Sequence, residues 1–469
     1  MRSMCAFLLA VTACTVVCAD TPSAISTEAD QKDVAITVYN NGLALVRDTR
    51  DVKLPNGEAS LQFMDVAQQI QPATVGLRST SAPGTVAILE QNYEFDLISP
   101  SKLMEKFVGK RVKLINFSNE VNFEQMEAEL LSVNEGPIYK VNNEIYLGYP
   151  GNVVLPEVPE NLIAKPSLIW LLANQGTDQT LQVTYLTNGI SWSADYVVTL
   201  AKDEKKLDVS GWVTMNNECG ATFANAQLKL VAGDVNIAQP PPVVMEKLMR
   251  GVAAEPMAPP MPQEEAFAEY HLYTMPRRTT IKQNQSKQLA LLTGSGVQCA
   301  KKYEYRGQMH FYSQPIGRLP EEKVGVFLEF ENKEAKGLGI PLPAGVMRIY
   351  QEDSEGMLQF SGEDRIKHTP KDEKITLKLG NAFDIVAERV QTDFKQLADR
   401  LTESSFEITI RNHKELDVSV DIVEPMSSDW QIVTSSIPHK KKDAQTAIFT
   451  VPVPKDGETK LTYTARVKW

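Results

Sequence analysis

Two cysteines, five histidines and one acid set in an aromatic strand are the residues of this chain best suited to chemistry. Cys219 and Cys299 are what remains once Cys5, Cys14 and Cys18 are assigned to an amino-terminal leader. In an oxidising compartment they could form one disulfide, closing a loop of about eighty residues worth on the order of 4 kcal/mol in the chain-entropy model. They could equally be two separate buried thiols, and the sequence leaves both open. Neither has a second thiol at metal-ligand spacing. His271, His310, His368, His413 and His439 are scattered, with no pair at ligand spacing, so no zinc site is expected. H-E-x-x-H, G-x-S-x-G, the phosphate-binding loop and G-x-G-x-x-G do not occur. No catalytic residue, metal ligand or cofactor is therefore assigned.

Asp195 is the most tempting acid, because it interrupts the aromatic run beside Trp192 and Tyr196. By strand alternation it points away from the Trp192 face, alongside Ser191 and Ser193, and reads as a hydrogen-bonded sheet residue rather than a general acid. With 59 acidic residues, sequence spacing says nothing about a carboxylate pair in space. Trp192 and Trp212 could form a carbohydrate-stacking platform, but core tryptophans of a sandwich are the simpler reading. Leu342-Pro343-Ala344-Gly345 reads as a turn, Pro343 fixing φ and Gly345 free to take a positive φ.

The elements that must position these residues are strands. In residues 181–200, Leu181, Val183 and Tyr185 share one face, as do Ile190, Trp192, Ala194, Tyr196, Val198 and Leu200. Asn188-Gly189 between them predicts a two-residue type I′ hairpin. Leu207, Val209, Gly211, Val213 and Met215 alternate in the same way, as do Val324, Val326, Leu328 and Phe330. Residues 386–401 fit a helical and an alternating pattern equally. Ser99 and Pro100 predict a helix start and Gly109 its close. Residues 111–155 then offer four or five short strands, the size of an SH3-like or Sm-like barrel. The fold class expected is mainly β: small N-terminal β modules followed by antiparallel β-sandwich modules.

At 469 residues, two to four domains are expected, and 27 prolines with 26 glycines favour many short elements. The expected order is a signal peptide at 1–19, a flexible lead-in at 20–32 and an N-terminal β region at 33–100. A small barrel-like module at 101–165 and a sandwich region at 166–469 follow. Within the last, 239–265 is so rich in proline and methionine that a disordered loop or an inter-domain linker is expected. The leader reading rests on Arg2, an apolar run and Val17-Cys18-Ala19 before Asp20; a lipidated Cys14 is the competing reading. No later stretch is apolar for long enough to span a membrane as a helix. A net charge of −11 argues against nucleic acid or an anionic membrane as partner. The chain ends on an alternating strand closed by Trp469, as outer-membrane barrels often do. Such a barrel needs many strands of about ten residues, and the strands expected here are shorter.

The segments GISWSADY, NNECGATFANAQLKLVAGDV, HLYTM, GLGIPLPAGVMRIYQED and the terminal strand from Tyr463 resemble, in that order, the bacterial domain-of-unknown-function family 4139 over roughly residues 166–469. The resemblance implies an exported, β-rich protein of the bacterial envelope and no reaction. Cys219 stands where the family pattern usually has a small polar residue, so the resemblance lends a disulfide no support. The expectation is an exported, non-catalytic β-sandwich protein with a binding or a structural role in the envelope, any partner being an envelope protein or polysaccharide. The alternatives are a secreted hydrolase using paired carboxylates and an outer-membrane barrel.

Overall fold

The computed structural model describes residues 24–94, 98–117, 123–159, 162, 165–233, 263–267, 270–427 and 429–468. The leader at 1–19 and Trp469 lie outside these residues, as does 239–265 except for its last three positions, which begin the strand Gln263–Phe267. The chain divides into two compact units. The first draws on residues up to 191 with 216–229 and 277–285, the second on 192–215, 230–276 and 286–469.

In the first unit, Gln31–Tyr39, Leu43–Lys53, Asp178–Asn188 and Gly76–Ser79 lie side by side, all antiparallel. Their alternation buries Val34, Ile36, Val38, Val46, Leu181, Val183 and Tyr185 on one face and leaves threonines, glutamines and arginines on the other. A second sheet orders Ala24–Ser26, Gly57–Met64, Ser167–Asn174 and Val86–Glu94. Its buried row includes Leu61, Phe63, Leu168, Trp170 and Leu172. The guanidinium of Arg50, from the first sheet, lies 3.6 Å from the centroid of the Phe63 ring of the second, so the two sheets form a sandwich.

Two expectations change here. Residues 24–32 are not a flexible lead-in: Ala24–Ser26 pairs in parallel with Leu61–Phe63, and Thr27 and Asp30 form a capping box. The boundary expected between 165 and 166 is crossed by pairing, because 167–188 supplies strands to both N-terminal sheets.

The small module between them starts with a helix over Pro100–Lys106. Ser99 Oγ accepts the Lys102 N–H, and Phe107 ends the helix. Gly109, at φ +79°, makes the left-handed turn two residues later. Five strands follow: Arg111–Phe117, Phe123–Ser132, Ile138–Val141, Glu144–Leu147 and Asn152–Val154. The last returns beside the first, over a core of Phe107, Leu114, Leu130 and Tyr139. Among the described residues no pairing joins Glu144–Leu147 to Asn152–Val154, so the expected barrel is an open sheet.

In the second unit the strand order is Leu358–Ile366, Gly345–Glu352, Ile190–Leu200, Lys206–Asn217, Gln285–Arg306, Glu322–Glu331, Lys374–Ala398, Leu401–Asn412, Gly457–Lys468, Asp429–Ser435. Val418–Pro425 pairs with both Gln285–Arg306 and Thr446–Val453, and a core of Phe406, Ile408, Val420, Ile422, Phe449 and Tyr463 fills the space between. Residues 386–398 are extended, within Lys374–Ala398; 399–400 turn, and Leu401 opens the strand Leu401–Asn412. At 22 and 25 residues, Gln285–Arg306 and Lys374–Ala398 far exceed the short strands expected. Register shifts in Lys374–Ala398 let it bend while it stays paired.

The central hairpin does not form. Asp178–Asn188 pairs with Leu43–Lys53 and Gly76–Ser79, while residues 194–200 pair with 345–351 in a different sheet. A type I′ turn needs both centres at positive φ; Gly189 is at +82° and Asn188 is not in that region. The pairing with 345–351 is parallel, as are 24–26 with 61–63 and 303–306 with 420–423, so the sheets are not purely antiparallel. No sheet closes into a barrel among the described residues. No helix there is long and apolar enough to cross a membrane, which says nothing about crossing by strands.

Candidate binding site

A groove of about 510 Å³, broadly open to solvent, lies on the outer face of the first unit's larger sheet and is lined by Arg47, Gly76, Leu77, Arg78, Gln182 and Thr184. Strand register assembles it. Thr184 sits opposite Arg47 on one side and Gly76 on the other, and the next row places Gln182 between Thr49 and Arg78. Residues two apart on a strand share a face, so both rows point outward together. Gln182 Oε1 accepts from Arg78 Nε at 3.0 Å and Nη2 at 2.6 Å, and Gln182 Nε2 donates to Thr49 Oγ1 at 3.4 Å. That amide fixes one guanidinium at the edge of the groove.

Of the nearby acids, Asp48 is turned away, whereas Asp51 and Asp33 stay on this outer face with cationic partners, Asp33 on Arg278 at 2.6 Å. Asp48 follows Arg47 in sequence but points inward, where Oδ2 accepts from Arg50 Nε and Nη2 at 3.1 and 2.7 Å. Asp51 accepts from Thr180 Oγ1 at 2.6 Å and pairs with Lys32 at 3.4 Å. Its carboxyl is held below the usual range, chiefly by the Thr180 hydrogen bond. Arg47 is exposed, and among the described residues no acid is paired with it. Gly76 has an ordinary φ, and a Cβ built there meets nothing within 4 Å. Its smallness therefore opens the groove rather than easing the backbone. The lining presents N–H and O–H donors around two cations, an arrangement that can hold an anionic group.

The residues singled out by sequence lie elsewhere. Asp195 is a sheet residue, as expected: Oδ2 accepts from Thr214 Oγ1 at 2.8 Å, and Oδ1 meets Arg348 Nη1 at 3.0 Å. Arg348 also reaches Glu363 at 3.2 Å. Trp192 is 3% exposed and forms part of the core, whereas Trp212 lies in the half-buried row of its strand. They present no two-ring platform to solvent. Gly345 does not take a positive φ; it is small because a Cβ would collide with the Ala194 carbonyl across the parallel pair. The Tyr196 hydroxyl donates to the Pro343 carbonyl at 2.8 Å and anchors that turn.

Cys219 and Cys299 are free thiols and are not joined. Cys219 is wholly buried beside the Ala221 carbonyl, and Cys299 lies against the Glu204 carbonyl. Burial pushes both thiols up to about 11. Among the described residues, no group of three or more His, Cys, Asp and Glu side chains is placed to hold a metal.

Arg47, Gly76, Arg78, Gln182 and Thr184 were not candidates from the sequence. The available signals were the outward parity of Arg47, Gln182 and Thr184 in strongly alternating strands and an isolated glycine in a strand-like stretch.

A search of curated proteins finds no match to the chain. A family model described as Domain of unknown function (DUF4139) matches residues 181–469, beginning within the strand that carries Gln182 and Thr184. That match takes in the Asp195 strand, both cysteines and the whole second unit, well over half of the sequence, and the chain belongs to this family.

Proposed function

We propose that this is an exported protein of the bacterial cell envelope that works by binding a partner rather than by catalysis. The observation that carries the reading is a division of labour among its charges. Asp48 and Asp195 are each committed to an arginine, and Glu424 is sealed in a core on Arg389. The open groove offers guanidinium, amide and hydroxyl donors. Donors of this kind grip a ligand, while general acid–base chemistry would need a proton-transferring pair at the ligand. Export is supported by the leader pattern before Asp20 and by what the family resemblance implies. The partner is an envelope protein or polysaccharide. Purified protein would be tested for saturable retention on envelope material and, in the same mixtures, for turnover of polysaccharide and peptide. Retention without turnover is expected. Turnover abolished by one Asp or Glu substitution in a folded variant would establish a hydrolase instead.

A further inference from the structure

We infer that the groove around Arg47 and Arg78 is a site for a carboxylate-bearing saccharide of an acidic glycan. This rests on the binding reading above and names its ligand class.

The first ground is charge. The chain carries a net charge of −11, so an exposed patch with two guanidinium groups and no carboxylate among its lining residues departs from the rest of the surface. Asp48 goes to the opposite face of the strand; Asp51 and Asp33 share the outer face but are held by Thr180 and Lys32 and by Arg278. Arg47 and Arg78, which hold no carboxylate among the described residues, can attract an anion, and guanidinium is geometrically matched to a planar carboxylate.

The second ground is shape. Arg47 and Arg78 lie on strands flanking the one that carries Gln182 and Thr184, offset by one row. Two strand spacings and one row place their Cα atoms roughly 11 to 12 Å apart, within reach of one sugar unit for two such long side chains. Gly76 removes the side chain that would occupy the remaining corner, and a volume of about 510 Å³ is in the range of small-ligand sites.

The third ground is polarity. The Thr184 hydroxyl and the Gln182 amide lie between the cations, and hydroxyl and amide groups are the natural partners of sugar hydroxyls. Arg78 is already fixed by Gln182, so it loses little further freedom when the ligand arrives.

The test uses the full chain, with polygalacturonate as the acidic probe and dextran of similar length as the neutral one. Binding of polygalacturonate should weaken as salt rises. It should fall at least tenfold in the Arg47→Ala/Arg78→Ala variant. Gly76→Val should have the same effect with unchanged thermal unfolding, since the added side chain enters open space at an ordinary φ. Equal binding of dextran and polygalacturonate would overturn the carboxylate assignment while leaving a binding protein. Displacement of the polymer by orthophosphate more readily than by galacturonate would overturn it in favour of a phosphate-bearing chain. Binding of polygalacturonate unaffected by either variant would place the ligand elsewhere on the protein. No binding of either polymer, with envelope material still retained, would remove this inference alone; loss of that retention as well would remove the binding reading beneath it.

Discussion

Arg389 donates from Nη2 to Oε1 of Glu424 at 2.6 Å, with neither side chain exposed to solvent. The Tyr312 hydroxyl donates to the other carboxylate oxygen at 2.8 Å and lies 2.9 Å from the Tyr463 hydroxyl, which in turn accepts from Arg389 Nη1 at 3.3 Å. The rings of Tyr305, Phe311 and Phe406 surround the guanidinium. Gly307 leaves the room this needs, because a Cβ there would collide with the Glu424 carboxylate. Two charges withdrawn from water in this way are costly unless they are paired; here they pair with help from two hydroxyls, while Arg389 Nε has no hydrogen-bond partner among the described residues.

Removing one partner leaves the other charge buried and alone. Glu424→Ala is expected to destabilise the second unit by about 3–5 kcal/mol in urea unfolding, and Arg389→Met by a similar amount. The double variant should lose less than the sum of the two. Additive losses would show that the two residues are not coupled.

Tyrosine ionisation gives an independent check on the same core. Burial raises Tyr312 and Tyr463 well above the ordinary value of 10.0, with the neighbouring Glu424 adding to it. Unfolded chains ionise these phenols near 10.0 while the native protein keeps them protonated. Their contribution is thus fully present below that pH and is lost as the pH climbs from there toward the native values. Absorbance titration should show exposed tyrosines ionising near pH 10 and a second group appearing only with unfolding. A single reversible step with the fold intact would contradict this burial.

The thiols should be present but slow. With both pushed up to about 11 by burial, Cys219 and Cys299 should alkylate far more slowly than a free cysteine at pH 8. In denaturant without reductant both should be modified at once, read by peptide mapping. A peptide pair that stays linked until reduced would show a disulfide.

Glycines with different reasons for being small should respond differently. Gly345→Ala drives a methyl into the Ala194 carbonyl and is expected to cost roughly 3 kcal/mol. Gly76→Ala enters open space at an ordinary φ and should be within about 0.5 kcal/mol of neutral. Thermal unfolding of the two variants side by side checks the pair.

What the sequence showed of this fold was parity. The inward rows from Leu181 to Tyr185 and from Ile190 to Leu200 are all buried, because side-chain alternation is a local property of a strand. Pairing is not local. Asn188-Gly189 carries the signature of a hairpin, yet a single left-handed glycine there lets the chain pass from one sheet to another. Asp195 was legible as a sheet residue for the same reason of parity, although its partner Arg348 lies 153 positions away. The groove was not legible, because Arg47, Gly76 and Gln182 meet only through the register of three strands. The long strands were missed because glycines and bulges inside Gln285–Arg306 and Lys374–Ala398 imitate turns.

The central claim, binding without turnover, is tested most directly by equilibrating the purified protein with isolated envelope polysaccharide. Bound protein and released fragments are quantified in the same samples. The account predicts saturable binding that Arg47→Ala/Arg78→Ala weakens, with the polysaccharide recovered at its starting length. Fragments that accumulate with time, and cease when a single carboxylate of the folded protein is replaced, would contradict it.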